Sequence, residues 1–422
     1  MDLPRPHPDA DADVLIVGAG PAGLALASAL ADAGLAVLLL EQQTRAALDA
    51  PPADGREIAL PHRARRVMES LGLWQRIPSA AVAPLREARV LDGDRPAMLR
   101  FEACEGAESL GWLVSNHLIR SAALAAALSR PGVRLQCDAR VTALELGVQD
   151  ARVTLADGSQ FSAPLVVAAD SRLSQTRRLA GIGASMHDFG RSVIVGRVAH
   201  DRANDGIAWE SFRYGNTLAL LPMNDGQSSA VVTVASDLAP QWLALTGDEF
   251  ASRIEAQSGG RLGAMRAVGE RHHYPLVGVY ARHFAVPRFA LIGDAAVGMH
   301  PVTAHGWNFG LYGVEVLARE LKAARAAAGD IGALPALQAF EREHRRVTLP
   351  VYLGTNALVT LFTDERTLPK LARRAVLTVA SQVPPFSALI KSAITRQLTG
   401  EAGVFALPKP PWRRPPRQVG NA

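Results

Sequence analysis

Two short motifs near opposite ends of the chain are rich in glycine and other small residues. The first is Gly18-Ala19-Gly20-Pro21-Ala22-Gly23, and the second is Gly293-Asp294, directly after the apolar run Phe289–Ile292. In a Gly-x-Gly-x-x-Gly cluster the first glycine makes a tight turn, the second lets the backbone approach a pyrophosphate, and the third lets a helix pack closely on a strand. One cluster alone is weak evidence, but the two motifs together indicate one large dinucleotide that is bound from both sides.

The residues around the first motif follow the order of a βαβ unit. The apolar run Val14–Val17 predicts a buried parallel strand, and Leu24–Ala33 has the composition of a helix. The chain returns as a second strand, Ala36–Leu40, which ends in Glu41. A helix N-terminus attracts phosphates, and a carboxylate in this position accepts hydrogen bonds from both ribose hydroxyls. Because an acid here disfavours a 2′-phosphate, the unit predicts FAD or NAD and excludes NADP; the alternative is a tight turn without a ligand.

The second motif continues into a loop of small residues and then into a helix. The loop reads Met299-His300-Pro301-Val302-Thr303-Ala304-His305-Gly306, and Asn308 follows it. Small residues let a backbone approach its ligand closely. The second motif therefore suits a loop that is pressed against a flat, phosphate-bearing cofactor.

Two polar residues elsewhere are candidates for the same site, and each has an ordinary structural alternative. Asp170 follows the buried strand Leu165–Ala169, so it can bind ribityl or ribose hydroxyls, or it can cap the next helix. Arg56 precedes a helical stretch that runs to Gly72, and it can pair with a cofactor phosphate or with a surface carboxylate. The residues alone leave both alternatives open.

The pattern of hydrophobic residues predicts an α/β fold of α+β character with two interleaved domains. The stretches Ser192–Ala199, Thr217–Leu221 and Ser229–Val234 alternate as antiparallel strands do, and Val133–Leu146 with Val153–Phe161 resemble β ribbons. We assign 12–80, 110–180 and 285–345 to a Rossmann-like domain that binds the dinucleotide, FAD or NAD, 81–109 and 181–284 to an antiparallel β-sheet substrate domain, 346–400 to a C-terminal helical segment, and 401–422 to a disordered tail.

Composition excludes several classes of protein. Hydrophobic residues make up 48% of the chain and charged residues 20%, as in an ordinary globular protein. The two cysteines, Cys104 and Cys137, cannot form a disulfide framework and lack zinc-ligand spacing, so we expect no metal site. The apolar run Val14–Leu40 divides into strand, helix and strand, and its acidic flank is unlike that of a signal peptide. We therefore expect a cytoplasmic protein.

The basic residues are concentrated in the C-terminal tail. From Arg366 to Ala422, ten lysines and arginines accompany one acid, Glu401. Aromatic residues are scarce there, which disfavours nucleic acid. Amphipathic basic segments suit a bilayer surface, so the tail predicts peripheral docking on the inner membrane or on an enzyme complex. The alternative is a helix that packs on the FAD domain with a solvated basic face.

The three motifs stand in an order that resembles the single-component FAD-dependent aromatic hydroxylases, the p-hydroxybenzoate-hydroxylase-like class, over residues 12–400. The middle motif is Val166-Val167-Ala168-Ala169-Asp170-Ser171. Within that class, Arg56–Leu60, Met68–Trp74 and the tail from Asn356 to Gly400 resemble the ubiquinone-biosynthesis hydroxylases. The loop Met299–Gly306 is similar to that of the demethoxyubiquinol hydroxylase branch.

This resemblance implies a set of FAD contacts and one candidate for catalysis. The implied contacts are Gly18, Ala19, Gly20, Pro21, Ala22, Gly23, Glu41, Arg56, Asn116, Val141, Asp170, Gly293, Asp294, Pro301, Ala304, His305, Gly306 and Asn308. Asp294 would contact the ribityl–phosphate portion, and Pro301–Gly306 would line the isoalloxazine. An imidazole at His305 could assist phenol deprotonation, or it could be a structural histidine satisfied by backbone.

The resemblance also implies the reaction. It is hydroxylation of the aromatic ring of a polyprenylated ubiquinone precursor, with O₂, through a flavin C4a-hydroperoxide. The chain has no second nucleotide fingerprint, so NAD(P)H would dock transiently, or electrons would arrive otherwise. The alternatives are a hydroxylase of a soluble aromatic or polyketide, a prenyl-chain reductase, and a non-catalytic flavoprotein that scaffolds a ubiquinone-biosynthesis complex.

Three departures from the class pattern mark where this chain would have its own specificity. Ser171 stands where the class usually has glycine, and this segment serves both FAD and the nicotinamide cofactor. Val297 replaces a usual histidine, and Ala304-His305 replace Gly-Gln. Since the loop keeps its length, these changes indicate a branch variant.

Overall fold

A computed structural model describes residues 10–92, 99–103, 108–212, 215–299 and 306–363. Pro301, Ala304 and His305 lie outside the described residues, as does the basic tail after Thr363. In the described parts the α-helices are α1 Pro21–Asp32, α2 Arg45–Asp49, α3 His62–Ser70, α4 Asn116–Leu128, α5 Gln175–Leu179, α6 Ala239–Leu243, α7 Gly247–Ser258, α8 Gly306–Ala326 and α9 Leu334–Thr363.

The strands form four sheets. In chain order they are β1 Val14–Val17, β2 Val37–Leu40, β3 Glu57–Leu60, β4 Ala83–Leu85, β5 Glu87–Asp92, β6 Leu99–Glu102, β7 Gly111–Ser115, β8 Val133–Gln136, β9 Val141–Leu146, β10 Ala151–Leu155, β11 Gln160–Ala163, β12 Leu165–Ala168, β13 Ala184–His200, β14 Ile207–Phe212, β15 Asn216–Pro222, β16 Gln227–Ala235, β17 Met265–Ala281, β18 Ala285–Val286, β19 Phe289–Leu291 and β20 Val297–Gly298. Short 3₁₀ turns occupy Trp74–Arg76, Ser79–Ala81, Ser236–Leu238 and Gly293–Ala295.

The first sheet is the parallel sheet that the βαβ pattern predicts. Its order is β18-β19-β12-β1-β2-β8, and only the short edge strand β18 pairs in the antiparallel sense. All residues of β1, β2 and β12 are buried, which explains why these strands are continuous apolar runs. The order brings the carboxyl ends of β1, β12 and β19 side by side, and each is followed by one of the three motifs.

One element of the ribbon prediction was wrong. The sequence pattern treats Val133–Leu146 as part of a ribbon, but β8 pairs in parallel with β2, where Val133 lies opposite Val37. Only β9, β10 and β11 form the predicted antiparallel ribbon. The reason is that β8 pairs with β2, a distant strand, and the long connection between them, which ends with α4, allows parallel pairing that a tight hairpin does not.

The largest sheet has eight strands in the order β20-β17-β13-β16-β15-β14-β5-β6. Its strands confirm the antiparallel stretches predicted between residues 190 and 280, although β14 and β5 pair in parallel. One face, which we call the outer face, packs Ile194, Leu218 and Val232 against Phe250 of α7. The opposite, inner face carries Val193, Val195 and Val231.

The strand β4 and the helix α9 depart from the expected division of the chain. β4 pairs with β7 in a separate three-stranded sheet, β3-β7-β4, and does not join the eight-stranded sheet. Helix α9 runs unbroken across residue 346, where the sequence suggests a new segment. The buried residues of α9 recur at helical spacing on both sides of that point, so one continuous face packs on the core; they are Leu337, Phe340, His344, Thr348, Val351, Tyr352, Thr355 and Val359.

Candidate cofactor site

The three glycines of the first motif have different surroundings, and the difference matches their expected roles. A Cβ atom on Gly18 would lie 2.7 Å from the Ala169 carbonyl oxygen, and one on Gly23 would lie 2.1 Å from the Gly18 carbonyl oxygen. Gly20 is the N-cap of α1, and a Cβ there would meet nothing within 4 Å. Gly18 and Gly23 are therefore required for packing, whereas Gly20 borders open space at a helix N-terminus, where a pyrophosphate fits.

Glu41 closes the first motif from the side of β2. The residue is only 6% exposed, and its Oε2 accepts a hydrogen bond from the Ala19 backbone N–H at 2.7 Å. Its Oε1 accepts from the Gln43 N–H at 2.9 Å. Each carboxylate oxygen retains acceptor capacity for a ribose hydroxyl. The carboxylate thus orders the glycine loop as well as facing the expected ribose.

Val141 is part of the hydrophobic core at the start of β9, where it is 6% exposed. The chain just before it lies beside Glu41, since the Ala139 N–H donates to the Glu41 carbonyl oxygen at 2.8 Å. Only the backbone edge of this segment is therefore suitably placed for a cofactor contact. The contact itself remains a prediction.

Asp170 shows features of both of its predicted roles, which are a helix cap and a ligand for ribityl or ribose hydroxyls. Its Oδ2 accepts from the Thr176 N–H at 3.2 Å, in the first turn of α5, although the N-cap of that helix is Ser174. Its Oδ1 is buried and has no hydrogen-bond partner among the described residues. A buried carboxylate oxygen without a donor is costly, and a ribityl or ribose hydroxyl would satisfy it.

Two arginines that follow Asp170 fasten its loop to the second motif. Arg177 is 3% exposed, and its Nη1 donates to the Ala295 carbonyl oxygen at 2.9 Å. Arg172 donates from Nη2 to Asp294 Oδ2 at 3.1 Å and from Nη1 to the Val277 carbonyl oxygen at 3.1 Å. Burial lowers the pKa of Arg177, which still remains a cation at neutral pH. These links were missed from the sequence, where the only signal is a run of arginines after a strand-end acid.

The second motif also packs directly on the first. Gly293 has φ +58°, and a Cβ on it would lie 3.0 Å from the Ala22 Cβ in the first turn of α1. Asp294 is accessible, with 39% of its side chain exposed, and Gly306 lies close to its Oδ1 at the start of α8. The structure therefore brings the first motif, Asp170 and Gly293-Asp294 to one edge of the parallel sheet.

Arg56 and Asn116 converge on a residue that the sequence analysis did not single out, Asp54. Asp54 Oδ2 accepts from Arg56 Nη2 at 2.5 Å and from Asn116 Nδ2 at 2.7 Å. Although burial alone would raise it, the hydrogen bonds and charge of Arg56 hold the pKa of Asp54 below its usual range. Arg56 therefore pairs with a carboxylate, as one of its two predicted roles requires. However, 46% of its side chain is exposed, so it can also contact a phosphate.

Residues 54–59 connect the cofactor side of the molecule to the eight-stranded sheet and to α8. The Tyr274 hydroxyl donates to the Asp54 carbonyl oxygen at 2.6 Å. Arg197 on the inner face donates to Glu57 Oε1 at 2.9 Å. Asn308 donates from Nδ2 to the Ala59 carbonyl oxygen at 3.0 Å, which holds α8 against β3. The inner sheet face therefore lies over the side of the molecule that carries the three motifs.

These features fit FAD by the chemistry of the donor set. Open space at Gly20 and the N-terminus of α1 suit the pyrophosphate, and Glu41 suits the adenosine ribose. The unsatisfied oxygen of Asp170 and the accessible carboxylate of Asp294 suit the ribityl chain. The contacts of Pro301, Ala304 and His305 lie outside the described residues.

Comparison with known proteins gives a consistent result. The FAD binding domain family matches residues 11–347. The chain is 44% identical over 376 residues to ubiquinone hydroxylase UbiM of Neisseria meningitidis, covering 88% of this chain and 81% of that protein. It is 39% identical over 361 residues to ubiquinone hydroxylase UbiL of Rhodospirillum rubrum, covering 86% of this chain and 84% of that protein.

A solved structure shows the same fold. p-Nitrophenol 4-monooxygenase PnpA from Pseudomonas putida DLL-E4 matches with a TM-score of 0.72, over 92% of this chain and 98% of that one. At 18% identity this likeness concerns the fold alone. The predicted fold class and the resemblance to FAD-dependent hydroxylases are confirmed. The chain belongs to the FAD binding domain family and is a flavin-dependent monooxygenase of the kind that includes the ubiquinone hydroxylases.

Proposed function

We propose that the protein hydroxylates the aromatic ring of a polyprenylated ubiquinone precursor, of the demethoxyubiquinol type. The observation that carries this proposal is the 44% identity to UbiM, which extends over 88% of the chain. A soluble aromatic or polyketide is the competing substrate class. The apolar inner face of the sheet, with Val193, Val195 and Val231, favours the ring of a lipid.

The chain contributes binding, orientation and exclusion of water. We assign Glu41 to the adenosine ribose, the N-terminus of α1 to the pyrophosphate, and Asp170 and Asp294 to the ribityl chain. Bound FAD, once reduced, supplies the activation of O₂ from which one oxygen atom enters the ring. The inner sheet face excludes water from the reacting ring, which protects the reaction from uncoupling.

We propose NAD(P)H as the electron donor, docked transiently without a domain of its own. The Arg172–Asp294 ion pair, at 3.1 Å, places an accessible cation at the edge of the cofactor site. A cation there can attract the phosphates of a nicotinamide cofactor. Substitution of Arg172 by methionine should raise the KM for the donor. Because Arg172 also holds Asp294, KM would be measured on protein of known FAD content, and an unchanged KM in the FAD-loaded variant would contradict this assignment.

We further propose that the basic tail, residues 366–422, docks the enzyme on a membrane surface or on a complex that presents the lipid substrate. Ten lysines and arginines with one acid would favour anionic lipids. Among the described helices, none is long and apolar enough to cross a bilayer. A tail-deleted protein should lose salt-sensitive binding to anionic vesicles and keep its bound FAD. If it binds the vesicles as well as the full-length protein does, the tail is not the membrane-docking segment.

Quinone profiling of a deletion strain tests the proposed function. Mass spectrometry should show a precursor that lacks one ring oxygen, and the missing position names the carbon that is hydroxylated. Restoring the wild-type gene should return the normal quinone, whereas a Gly20→Ala gene should not. A normal quinone pool in the deletion strain would refute the proposal and favour another substrate.

A further inference from the structure

Glu210 lies on the inner face of the eight-stranded sheet. In β14 it is opposite Ala219, which is opposite Val231, which is opposite Val195. Directly opposite residues of antiparallel strands point to the same face. Val195 and Val231 belong to the inner-face cluster, so Glu210 stands within an apolar row on that face, between Ala219 of β15 and Val90 of β5.

The neighbours of Glu210 along the strand confirm its orientation. Successive residues of a strand alternate between faces. Trp209 packs with the outer-face cluster that includes Leu218 and Phe250 of α7. Glu210 therefore points away from α6 and α7, toward the side where Tyr274 and Arg197 contact the cofactor-binding part of the chain.

The carboxyl of Glu210 is enclosed by protein and yet partly accessible. No hydrogen bond or ion pair joins this carboxyl to any residue in the described parts of the chain. Burial in these surroundings raises the pKa of Glu210 to about 7.

The contrast with Glu57, another acid beneath the inner face, is informative. The Glu57 carboxylate accepts from Ser115 Oγ and from Arg197, both at 2.9 Å, so its negative charge is neutralised within the protein. Glu210 has no comparable protein partner in the described residues. A carboxyl that is largely enclosed by apolar neighbours and lacks a cationic partner is a common feature of a ligand-binding site.

We propose that Glu210 hydrogen-bonds a ring hydroxyl group of the substrate and thereby selects a phenol or quinol over its alkyl ether. This inference rests on the proposed function, which places an aromatic ring against the inner sheet face. When protonated, the carboxyl can donate to a ring oxygen; when ionised, it accepts from the phenolic O–H. The apolar row from Val195 to Ala219 would hold the uncharged remainder of the substrate.

The test compares two ligands that differ only in that hydroxyl group, 2-geranylphenol and its O-methyl ether. Each would be titrated into the FAD-loaded full-length protein, with binding followed by the change in flavin absorption. At pH 8.5, where the Glu210 carboxyl is ionised and only accepts hydrogen bonds, the wild-type protein should bind the phenol about tenfold more tightly than the ether, since the ether has no hydrogen to donate. The Glu210→Leu variant should bind both ligands equally, and Glu210→Gln should retain part of the preference because an amide still accepts a neutral hydrogen bond.

Glu270→Gln is the matched control, because Glu270 is exposed on β17 of the same sheet. It should keep the wild-type preference. Glu210→Leu removes a carboxyl that pairs with none of the described residues, so its unfolding temperature should be equal to or above that of the wild type. If Glu210→Leu and Glu210→Gln retain bound FAD and the full preference for the phenol, the inference is wrong while the proposed function stands. If the wild-type protein binds neither ligand, the proposed function fails, and this inference fails with it.

Discussion

The guanidinium of Arg177 and the backbone carbonyl of Ala295, which are 118 residues apart in the chain, are joined by a buried hydrogen bond of 2.9 Å. The same guanidinium donates to the Arg172 carbonyl oxygen at 3.2 Å. Arg177 therefore fixes the loop after β12 against the turn that carries Gly293 and Asp294. Since both loops are expected to contact the ribityl part of FAD, their relative position determines whether the cofactor site is formed.

Substitution of Arg177 by methionine should weaken FAD binding and the fold together. The buried carbonyl oxygen of Ala295 and the partly buried one of Arg172 would lose their donor, at a cost of about 1–3 kcal/mol in the free energy of unfolding. FAD content after purification and the urea midpoint would measure the two effects. Arg178→Met is the control, because Arg178 is exposed on the same helix. An Arg177→Met protein with wild-type FAD content and midpoint would show that this link is dispensable.

Glu41→Gln should weaken FAD binding by about tenfold or more, because an amide cannot accept with both of its polar ends. The carboxylate now accepts from two backbone N–H groups at 2.7 and 2.9 Å, and the amide nitrogen would face one of them. Fluorescence titration of the apoprotein with FAD would measure this change. Glu145→Gln, at an exposed position of β9, should leave the affinity unchanged. If Glu41→Gln and Glu145→Gln bind FAD with equal affinity, Glu41 does not contribute to FAD binding.

Gly20→Ala and Gly23→Ala should separate cofactor binding from folding. A Cβ at Gly20 meets no protein atom within 4 Å, so this variant should fold but bind FAD at least about tenfold more weakly, because the methyl group occupies the pyrophosphate space. A Cβ at Gly23 would lie 2.1 Å from the Gly18 carbonyl oxygen, so this variant should be strongly destabilised. Thermal unfolding of the two apoproteins provides the comparison. If the two variants have the same unfolding temperature and FAD affinity, the assignment of Gly20 to cofactor binding and of Gly23 to packing is wrong.

His344 should make the protein sensitive to mild acid. It is 1% exposed beneath α8, and burial lowers its pKa to about 4 from an ordinary value of 6.5. Between pH 6.5 and 4 the unfolded chain therefore binds a proton that the folded protein does not. The resulting stability is fully present above pH 6.5 and is lost as the pH falls, by at most about 1.4 kcal/mol per pH unit.

Urea unfolding at pH 7 and pH 5 would measure this effect of His344. The loss of stability between the two pH values should be smaller in His344→Gln than in the wild type. The exposed His283, substituted in the same way, should leave the loss unchanged. An equal loss in all three proteins would mean that His344 titrates in the same range in the folded and unfolded states.

The parts of the structure that depend on neighbouring residues could be predicted from the sequence. The buried run Val14–Val17, the glycine loop and Glu41 follow one another within a single βαβ unit. The local pattern of hydrophobic residues and glycines is sufficient to predict such a unit. The alternating strands of the large sheet were equally recognisable. The assignment of β8 to a ribbon was wrong because its partner, β2, lies far earlier in the chain, before the helices α2 to α4 and the strands β3 to β7.

The contacts between distant residues could not be predicted in this way. No local pattern indicates that Asp54 accepts hydrogen bonds from both Arg56 and Asn116, or that Arg172 pairs with Asp294. Glu210 reads in the sequence as an ordinary polar residue of an alternating strand. Only the register across four strands shows that it points toward the inner face.

The most direct test of the central claim is a single-turnover assay with purified, FAD-loaded protein, a demethoxyquinol with a short prenyl chain, NADH or NADPH, and isotopically labelled O₂. The account predicts a product that contains one labelled oxygen atom on the aromatic ring, formed by the wild-type protein and not by Gly20→Ala. Oxidation of the nicotinamide without label in the ring, with the substrate recovered unchanged, would contradict it.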